Sequence, residues 1–407
     1  MVLKLNHCCR EPSKIASLTL SSVFIVLFFT NFLNVLFPPD TALIKCFYVA
    51  SRAYIAILFL VSAYLQKSFN YKILLFYTIF FLMALLNMML YPQLNEYFIG
   101  TALTFLLNCS IPFTLVFFID DIDLLYNYLI KASIVIALFA VIPSIFVLTG
   151  QMSLFGEHAV YFMGYGYSCL IPAMILFYAF LKENKYFYLI LFSILVFAIV
   201  LLGSRGPLLP IGAYVIFTFF VNILKALKEK KKFKINAIIR AVLFLMVLMF
   251  SFFFVSFVFS AISNFLEVNH INSRTIDALV TGRIAVSGGR DHIYSILLNE
   301  LQDDFVSLRG INAEYPIVGN YAHNIAIEIL YDFGGVLGGV FLFMIVFCIV
   351  KTFLARASID KDVTVIFMFA ALCQLWNSGT LWTNHLFWIW IALFFCLAKT
   401  LPIEEKE

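Results

Sequence analysis

"HNIAIEILYDFGGVLGGVFLFMIVFCIV", residues 323–350, decides the fold, because this stretch is mainly apolar and long enough to cross a membrane. A spanning α-helix needs about 20 such residues. Its beginning is nevertheless polar, since His323 and Asn324 stand at the entry. Glu328 and Asp332 follow four residues apart, which places both carboxyl groups on one face of the predicted helix. Ionisable groups at membrane depth are costly and are functional candidates, so this stretch is both a span and a candidate site.

The rest of the chain has the same apolar character. Of its 407 residues, 63% are hydrophobic and 12% are charged, whereas soluble domains are about 45–50% apolar and about 25% charged. We therefore expect an all-α, polytopic integral membrane protein that forms a single transmembrane domain over residues 1–407. The apolar runs predict about twelve transmembrane helices, at residues 15–37, 46–65, 71–91, 98–118, 129–149, 161–181, 186–203, 206–224, 238–260, 323–350, 363–382 and 385–399.

The basic residues give the predicted orientation. Most of the 27 Lys and Arg residues fall in alternate short loops, and such loops face the cytoplasm. The run KALKEKKKFK (225–234) is then inside, either as a topology anchor or as a site for anionic lipid. Residues 1–14 are basic, but no small-residue cleavage site follows them, so the first run is predicted to be a retained helix. Twelve spans put both termini in the cytoplasm.

Residues 261–322 form the one long polar connection, on the predicted outer face between the ninth and tenth runs. Connections of this length are usually functional or disordered. Within it, DHIYSILLNELQDDF (291–305) carries apolar residues at helical spacing. The sequence therefore predicts an amphipathic helix and an ordered extracytoplasmic loop, with the apolar positions at Ile293, Ile296, Leu297, Leu301 and Phe305.

Two arginines are candidates for binding an anion. Arg205 lies in LLGSRGPLLP, where glycine and proline break the apolar run, and it is either an interfacial Arg in a tight turn or a cation facing an outer cavity. Arg290 lies in SGGRDHIY at the start of the predicted loop helix. An Arg fork can bind phosphate oxygens in bidentate fashion, although a solvated loop Arg fits Arg290 equally well. Arg274, Arg283 and Arg309 carry the same ambiguity.

His323 and Asn324 also allow two interpretations. The imidazole can act as a base near neutral pH, but a lone His at a helix start is more often a capping or interfacial residue. Asn324 either caps the helix or orients His323. After Asp332 the glycines of FGGVLGG (333–339) permit a kink or close helix packing.

The chain lacks the motifs of several other enzyme classes. It contains no HExxH, no Walker loop and no dinucleotide fingerprint, and its His, Asp and Glu residues are too scattered for a zinc site. The eight cysteines predict no disulfide framework. We therefore predict no cofactor, no metal and no nucleic-acid partner.

Taken in order, GSRGPLL (203–209), SGGRDHIY (287–294) and YAHNIAIEILYDFGGVLGG (321–339) resemble the motifs of the O-antigen polymerase and O-antigen ligase superfamily. Its members show an S-R-G-like turn, an S-G-R stretch and an H-N stretch followed by spaced leucines and glycines. Tyr294 stands where the family has an aromatic residue, often Trp. The resemblance covers roughly residues 195–345 by motif and the whole chain by predicted topology.

The resemblance implies a metal-independent, GT-C-like membrane glycosyltransferase at the outer face of the bacterial inner membrane. Its donor would be a glycan on undecaprenyl diphosphate, and its acceptor a hydroxyl of another lipid-linked repeat unit or of a lipid A core. O-antigen, capsule and exopolysaccharide synthesis are all compatible. Membrane lipid, a flippase and a chain-length regulator are the implied partners. The family's functional residues correspond to Arg205, Arg290 and His323, and we expect Asn324, Tyr294, Glu328 and Arg309 to contact substrate.

Three functions remain open at this point. A polymerase is favoured over a ligase only because polymerases are the more divergent and numerous group. A polysaccharide transporter or flippase explains many spans and intramembrane charges equally well, although transporters often show paired broken helices. The interruption at residues 203–207 has no evident counterpart elsewhere in the sequence. A non-catalytic assembly component is a third alternative, without a positive sign in the sequence.

Overall fold

A computed structural model describes residues 2–37, 41–66, 70–148, 163–202, 206–228 and 290–397. Within these ranges the chain is helical and no residue lies in a β-strand. The π-helical turn Phe105–Cys109 joins two of the helices directly. The α-helices are Val2–Leu36, Ala42–Leu65, Tyr71–Leu90, Asn95–Thr104, Ser110–Phe117, Ile122–Leu148, Met163–Ser168, Leu170–Glu183, Tyr186–Leu201, Leu208–Lys228, Arg290–Asp303, Tyr315–Val318, Ile325–Leu354, Ile359–Asn377 and His385–Leu397.

Length and composition confirm a helical protein suited to a membrane. Among the described residues, 7 helical segments are long and apolar enough to cross a bilayer. The predicted ninth run, 238–260, lies outside the described residues, as does most of the basic run 225–234, and the number of twelve spans remains a prediction. The 7 segments are Glu11–Leu36, Ala42–Leu65, Tyr71–Leu90, Pro92–Phe117, Ile122–Phe146, Met163–Glu183 and Ile325–Leu354. Shorter apolar helices are Tyr186–Leu201, Leu208–Ile223 and His385–Leu397.

The chain divides into two compact units, which we describe separately. The first unit comprises Met1–Val26, Cys46–Ala132 and Ser287–Glu407. The second comprises Leu27–Lys45 and Ser133–Val286. The candidate residues Arg290 and His323 belong to the first unit.

Aromatic side chains form a large part of the core of the first unit. The ring of Phe105, in the π-helical turn, stacks on Phe80 with 4.2 Å between centroids and meets the edge of Trp388 at 5.1 Å. Phe76 stacks on Phe113 at 3.8 Å. Aromatic contacts of this kind add to the stabilisation from burial. They tie the helices at residues 71–117 to the last helix, His385–Leu397.

In the second unit two consecutive helices are separated at the GSRGP sequence, as predicted. One helix ends at Leu201 and the next begins at Leu208. A side chain at Gly206 would overlap the hydroxyl of Tyr167, so the chain turns here in close contact with the helix Met163–Ser168. Arg205 lies outside the described residues, and its predicted role stays a prediction.

The amphipathic helix predicted at residues 291–305 is confirmed as Arg290–Asp303, hereafter the cap helix. It buries Leu297 and Leu301 in a cluster that also contains Tyr331 of the helix Ile325–Leu354. The cap helix therefore packs against the span whose sequence carries the acidic residues. Residues 261–289, the rest of the predicted loop, lie outside the described residues.

Candidate functional site

The helix Ile325–Leu354 is broken at Gly334, and we call it the broken helix. Gly334 has φ 67° and ψ 167°, a conformation that is essentially restricted to glycine. The kink that FGGVLGG permits is therefore present. An interruption frees backbone groups, which at membrane depth must find protein or water partners.

Residues 304–314, DFVSLRGINAE, supply those partners, and we call them the strap. The backbone N–H groups of Arg309 and Gly310 both donate to the carbonyl oxygen of Asp332, each at 3.1 Å. The N–H of Gly335 donates to the carbonyl of Phe305 at 2.6 Å. Strap and broken helix therefore form one hydrogen-bonded structure, and the strap fills the break.

The entry of the broken helix is fixed by Asn324. This residue is the N-cap, with its side-chain oxygen accepting from the N–H groups of Ala326 at 2.9 Å and Ile327 at 3.3 Å. Such a cap satisfies donors that the first helical turn leaves free. Of the two roles considered for Asn324, capping is the one with observed contacts, and substrate contact stays a prediction.

Glu328 is buried and held by the turn before the last helix. Its carboxylate accepts from the hydroxyl of Thr380 and from the N–H of Leu381, which lies 3.1 Å from each oxygen. Glu328 thus joins the broken helix to residues 378–384. These donors satisfy the oxygens of a side chain that is almost fully buried.

Asp332 lies one turn further on, and Glu314 approaches it from the end of the strap. Each of the two side chains is about 1% exposed, and the two carboxyl groups are close enough to interact electrostatically. The indole N–H of Trp382 donates to one oxygen of Asp332 at 3.5 Å. Both oxygens of Glu314 and the other oxygen of Asp332 have no donor from another described residue. Burial raises the pKa of Glu314 to about 7.

His323 stands immediately before the N-cap, close to two residues of the cap helix. Its backbone has φ 57°, an uncommon left-handed conformation for a non-glycine residue. Its carbonyl accepts from the hydroxyl of Tyr294 at 3.4 Å. Burial, and then the positive charge of nearby Arg290, lowers the pKa of His323 to about 4. Three of the residues selected from the sequence therefore meet at one place.

The imidazole of His323 is oriented by an aromatic neighbour. The ring of Tyr321 lies 4.1 Å from it, centroid to centroid, at an angle of 48°. Its Nδ1 atom is buried and has no hydrogen-bond partner among the described residues. His323 is thus a neutral imidazole at pH 7, half-buried, with one ring nitrogen unengaged.

Arg309 is engaged with the chain itself. Its guanidinium donates to the carbonyl oxygens of Glu300 at 2.9 Å and Asp304 at 2.5 Å, and it lies 4.8 Å from the centre of the Tyr331 ring. The hydroxyl of Tyr331 donates to the carboxylate of Glu300. These contacts clamp the cap helix to the broken helix. The predicted contact of Arg309 with substrate stays a prediction.

The sequence analysis did not select several residues of this site. Glu314 was missed because it follows a Gly-Ile-Asn-Ala turn with no motif, and its neighbour Asp332 is distant in sequence. Thr380 and Trp382 were assigned to a span, residues 363–382, whereas the helix ends at Asn377. The Ser-Gly pair at 378–379 was the available signal, because Gly is a common helix terminator.

No family model, no curated protein and no solved structure matches this chain. Within the described ranges, no three His, Cys, Asp or Glu side chains are arranged to hold a metal ion.

Proposed function

We propose that this protein is a membrane glycosyltransferase. It would transfer a growing glycan from undecaprenyl diphosphate to a hydroxyl of another lipid-linked repeat unit, which makes it a polysaccharide polymerase. The observation that carries the proposal is the meeting of Arg290, Tyr294 and His323 at the polar entry of an apolar, broken helix. This arrangement suits a substrate with a charged head and a hydrocarbon tail.

The reaction needs charge stabilisation above all. The bond between the anomeric carbon and a phosphate oxygen breaks, the diphosphate leaves with the electron pair, and the acceptor oxygen forms the new glycosidic bond. A guanidinium stabilises the departing diphosphate in a low-dielectric site. In this proposal Arg290 has that role.

The acceptor hydroxyl must lose its proton, and His323 is the proposed base. At neutral pH the half-buried imidazole is uncharged, so it can accept a proton. With its pKa at about 4, His323 is a weak base when no donor is bound. A diphosphate bound beside Arg290 would counter the positive charge there and favour the protonated imidazole, which raises its basicity when the donor is present.

The O-antigen ligase alternative shares this chemistry and differs only in the acceptor, a lipid A core. The transporter alternative has one observation of its own. Buried carboxyl groups such as Glu314 and Asp332, without a cation partner, are typical of proton relays in transporters. Formation of a new glycosidic bond distinguishes either enzyme from the transporter.

The test uses purified protein in lipid nanodiscs with an undecaprenyl-diphosphate-linked repeat unit, with and without EDTA, and product length read on a gel. A ladder of products that persists in EDTA supports the polymerase. Single transfer that requires lipid A core identifies a ligase. Uptake of intact substrate into vesicles without a new bond overturns both enzymes.

Matched variants tie the activity to the site. We expect Arg290→Ala to abolish product, because the diphosphate loses a charged partner. His292→Ala is the control, since His292 lies two residues away on the same helix with its side chain exposed. Equal loss in both variants would mean that the cap helix has only a structural role. Full activity in Arg290→Ala would show that Arg290 does not stabilise the diphosphate.

A further inference from the structure

The strap is joined to the broken helix at one residue by both backbone and side chain. The carbonyl of Asp332 accepts from Arg309 and Gly310, and its carboxyl group meets that of Glu314 at the end of the same strap. Gly334, two residues after Asp332, is the point at which the helix is interrupted. The protonation of these two carboxyl groups therefore affects whether the strap remains docked in the break.

A hydrogen bond between two carboxyl groups requires a proton on one of them. Glu314 and Asp332 are almost fully buried, and no Lys, Arg or His of the described residues forms an ion pair with either. Apart from the single indole N–H, no other described residue offers their side-chain oxygens a donor. Asn312, also fully buried in the strap, has both amide atoms without a partner. One proton shared between the two carboxyl groups would give each of them a hydrogen-bond partner.

The surroundings do not compensate a second negative charge. Glu328, on the same helix, adds a further carboxyl group, and its donors come from Thr380 and Leu381. Tyr315 and Tyr331 face the pair as neutral phenols, and burial raises the pKa of Tyr315 to about 12. The guanidinium of Arg309 donates instead to carbonyl oxygens of the cap helix and the strap. Two adjacent buried carboxylates would repel each other strongly.

We propose that Glu314 and Asp332 form a proton-binding site, and that the one proton they share latches the strap onto the broken helix. Loss of this proton places two like charges together in a buried position and releases the strap. Since the strap leads through residues 315–322 into His323, the latch also sets the position of that histidine. The proposal does not rest on the transferase activity, because it is read out as protection of the strap and not as product.

The direction of the pH effect follows from linkage. Glu314 titrates at about 7 with the strap docked and near its ordinary value of about 4.3 when the strap is released. The docked state therefore holds the proton more tightly. Below the pKa of the released state the proton stabilises docking fully. Between the two pKa values the docking equilibrium constant falls by up to about tenfold per pH unit, and above the pKa of the docked state it no longer changes with pH.

Hydrogen–deuterium exchange of the full chain in nanodiscs, from pH 5 to pH 8, tests this proposal. The readout is the amide protection of the strap, corrected for the intrinsic pH dependence of exchange. In the unmodified protein we expect protection to fall as pH rises and to level off above about pH 7. In Glu314→Gln the amide donates to Asp332 without a proton, so strap protection should be high and independent of pH.

Asp304→Asn is the matched control. Asp304 is an exposed carboxylate of the same strap that accepts from the N–H of Ser307 at 3.2 Å, and Asn retains the acceptor. We expect this variant to keep the pH profile of the unmodified protein. A flat profile in the unmodified protein overturns the proposal by itself, even if a variant fails to fold. An unchanged slope in Glu314→Gln overturns it as well, because another group would then be titrating.

Discussion

Replacing Gly334 with alanine should eject the strap from the broken helix. At φ 67° and ψ 167° an alanine is strained by about 1–3 kcal/mol. An ideal Cβ at Gly334 would lie 2.5 Å from the carbonyl oxygen of Val306 and 2.9 Å from that of Ser307. Both contacts are with backbone, so no side-chain rotation relieves them.

Relief of the overlap requires the strap to move, which breaks its hydrogen bonds to Asp332. Two backbone hydrogen bonds at about 1 kcal/mol each, added to the strain, give a cost of about 3–5 kcal/mol. This corresponds to roughly two to four orders of magnitude in the docking equilibrium, since about 1.4 kcal/mol is a factor of ten. The assay is the deuterium exchange of the amides of Arg309 and Gly310, which donate to that carbonyl.

Gly339→Ala is the control on the same helix, because a Cβ there has no neighbour within 4 Å. In a regular helix Ala is favoured over Gly by up to about 1 kcal/mol, so strap protection should be unchanged. Gly335→Ala should fall between the two, since its Cβ overlaps only the ring of Phe305, which can swing away. Equal strap protection in Gly334→Ala and Gly339→Ala would refute this account of the break.

Four further outcomes are expected. A cysteine probe at Ser287 should react from outside the cell and probes at 225–236 only from inside; reaction of Ser287 from the cytoplasm alone would overturn the proposed orientation and the extracytoplasmic site. Arg290→Lys should recover less transferase activity than a pure charge requirement predicts, because an ammonium lacks the bidentate fork; full recovery in the product assay would contradict the clamp. His323→Ala should lower kcat about 10²–10⁴-fold with donor binding retained. In the unmodified protein the pKa of His323 is lowered to about 4, so thermal unfolding should show its contribution to stability being lost as pH falls from about 6.5 to 4. Thr380→Val should destabilise the protein by about 1–2 kcal/mol, because buried Glu328 loses a hydroxyl donor; unchanged denaturant unfolding would show that Leu381 suffices.

The sequence alone determined the helical, membrane-suited character of the chain and the cap helix. These features depend on local composition and periodicity, which are present in every window of the chain. The kink at FGGVLGG and the N-cap at Asn324 were also within reach, because glycine conformation and helix capping are local properties. Glu328 and Asp332 could be placed on one helical face for the same reason.

Tertiary structure decided which polar groups meet. Glu314 and Asp332 are paired although no spacing rule links them, because the strap folds back over the break and brings its end to the helix. The depressed pKa of His323 depends on burial and on Arg290, 33 residues earlier in the sequence. Burial and electrostatic coupling act through space rather than along the chain, so the sequence could select Asp332 as a candidate but could neither select Glu314 nor pair the two.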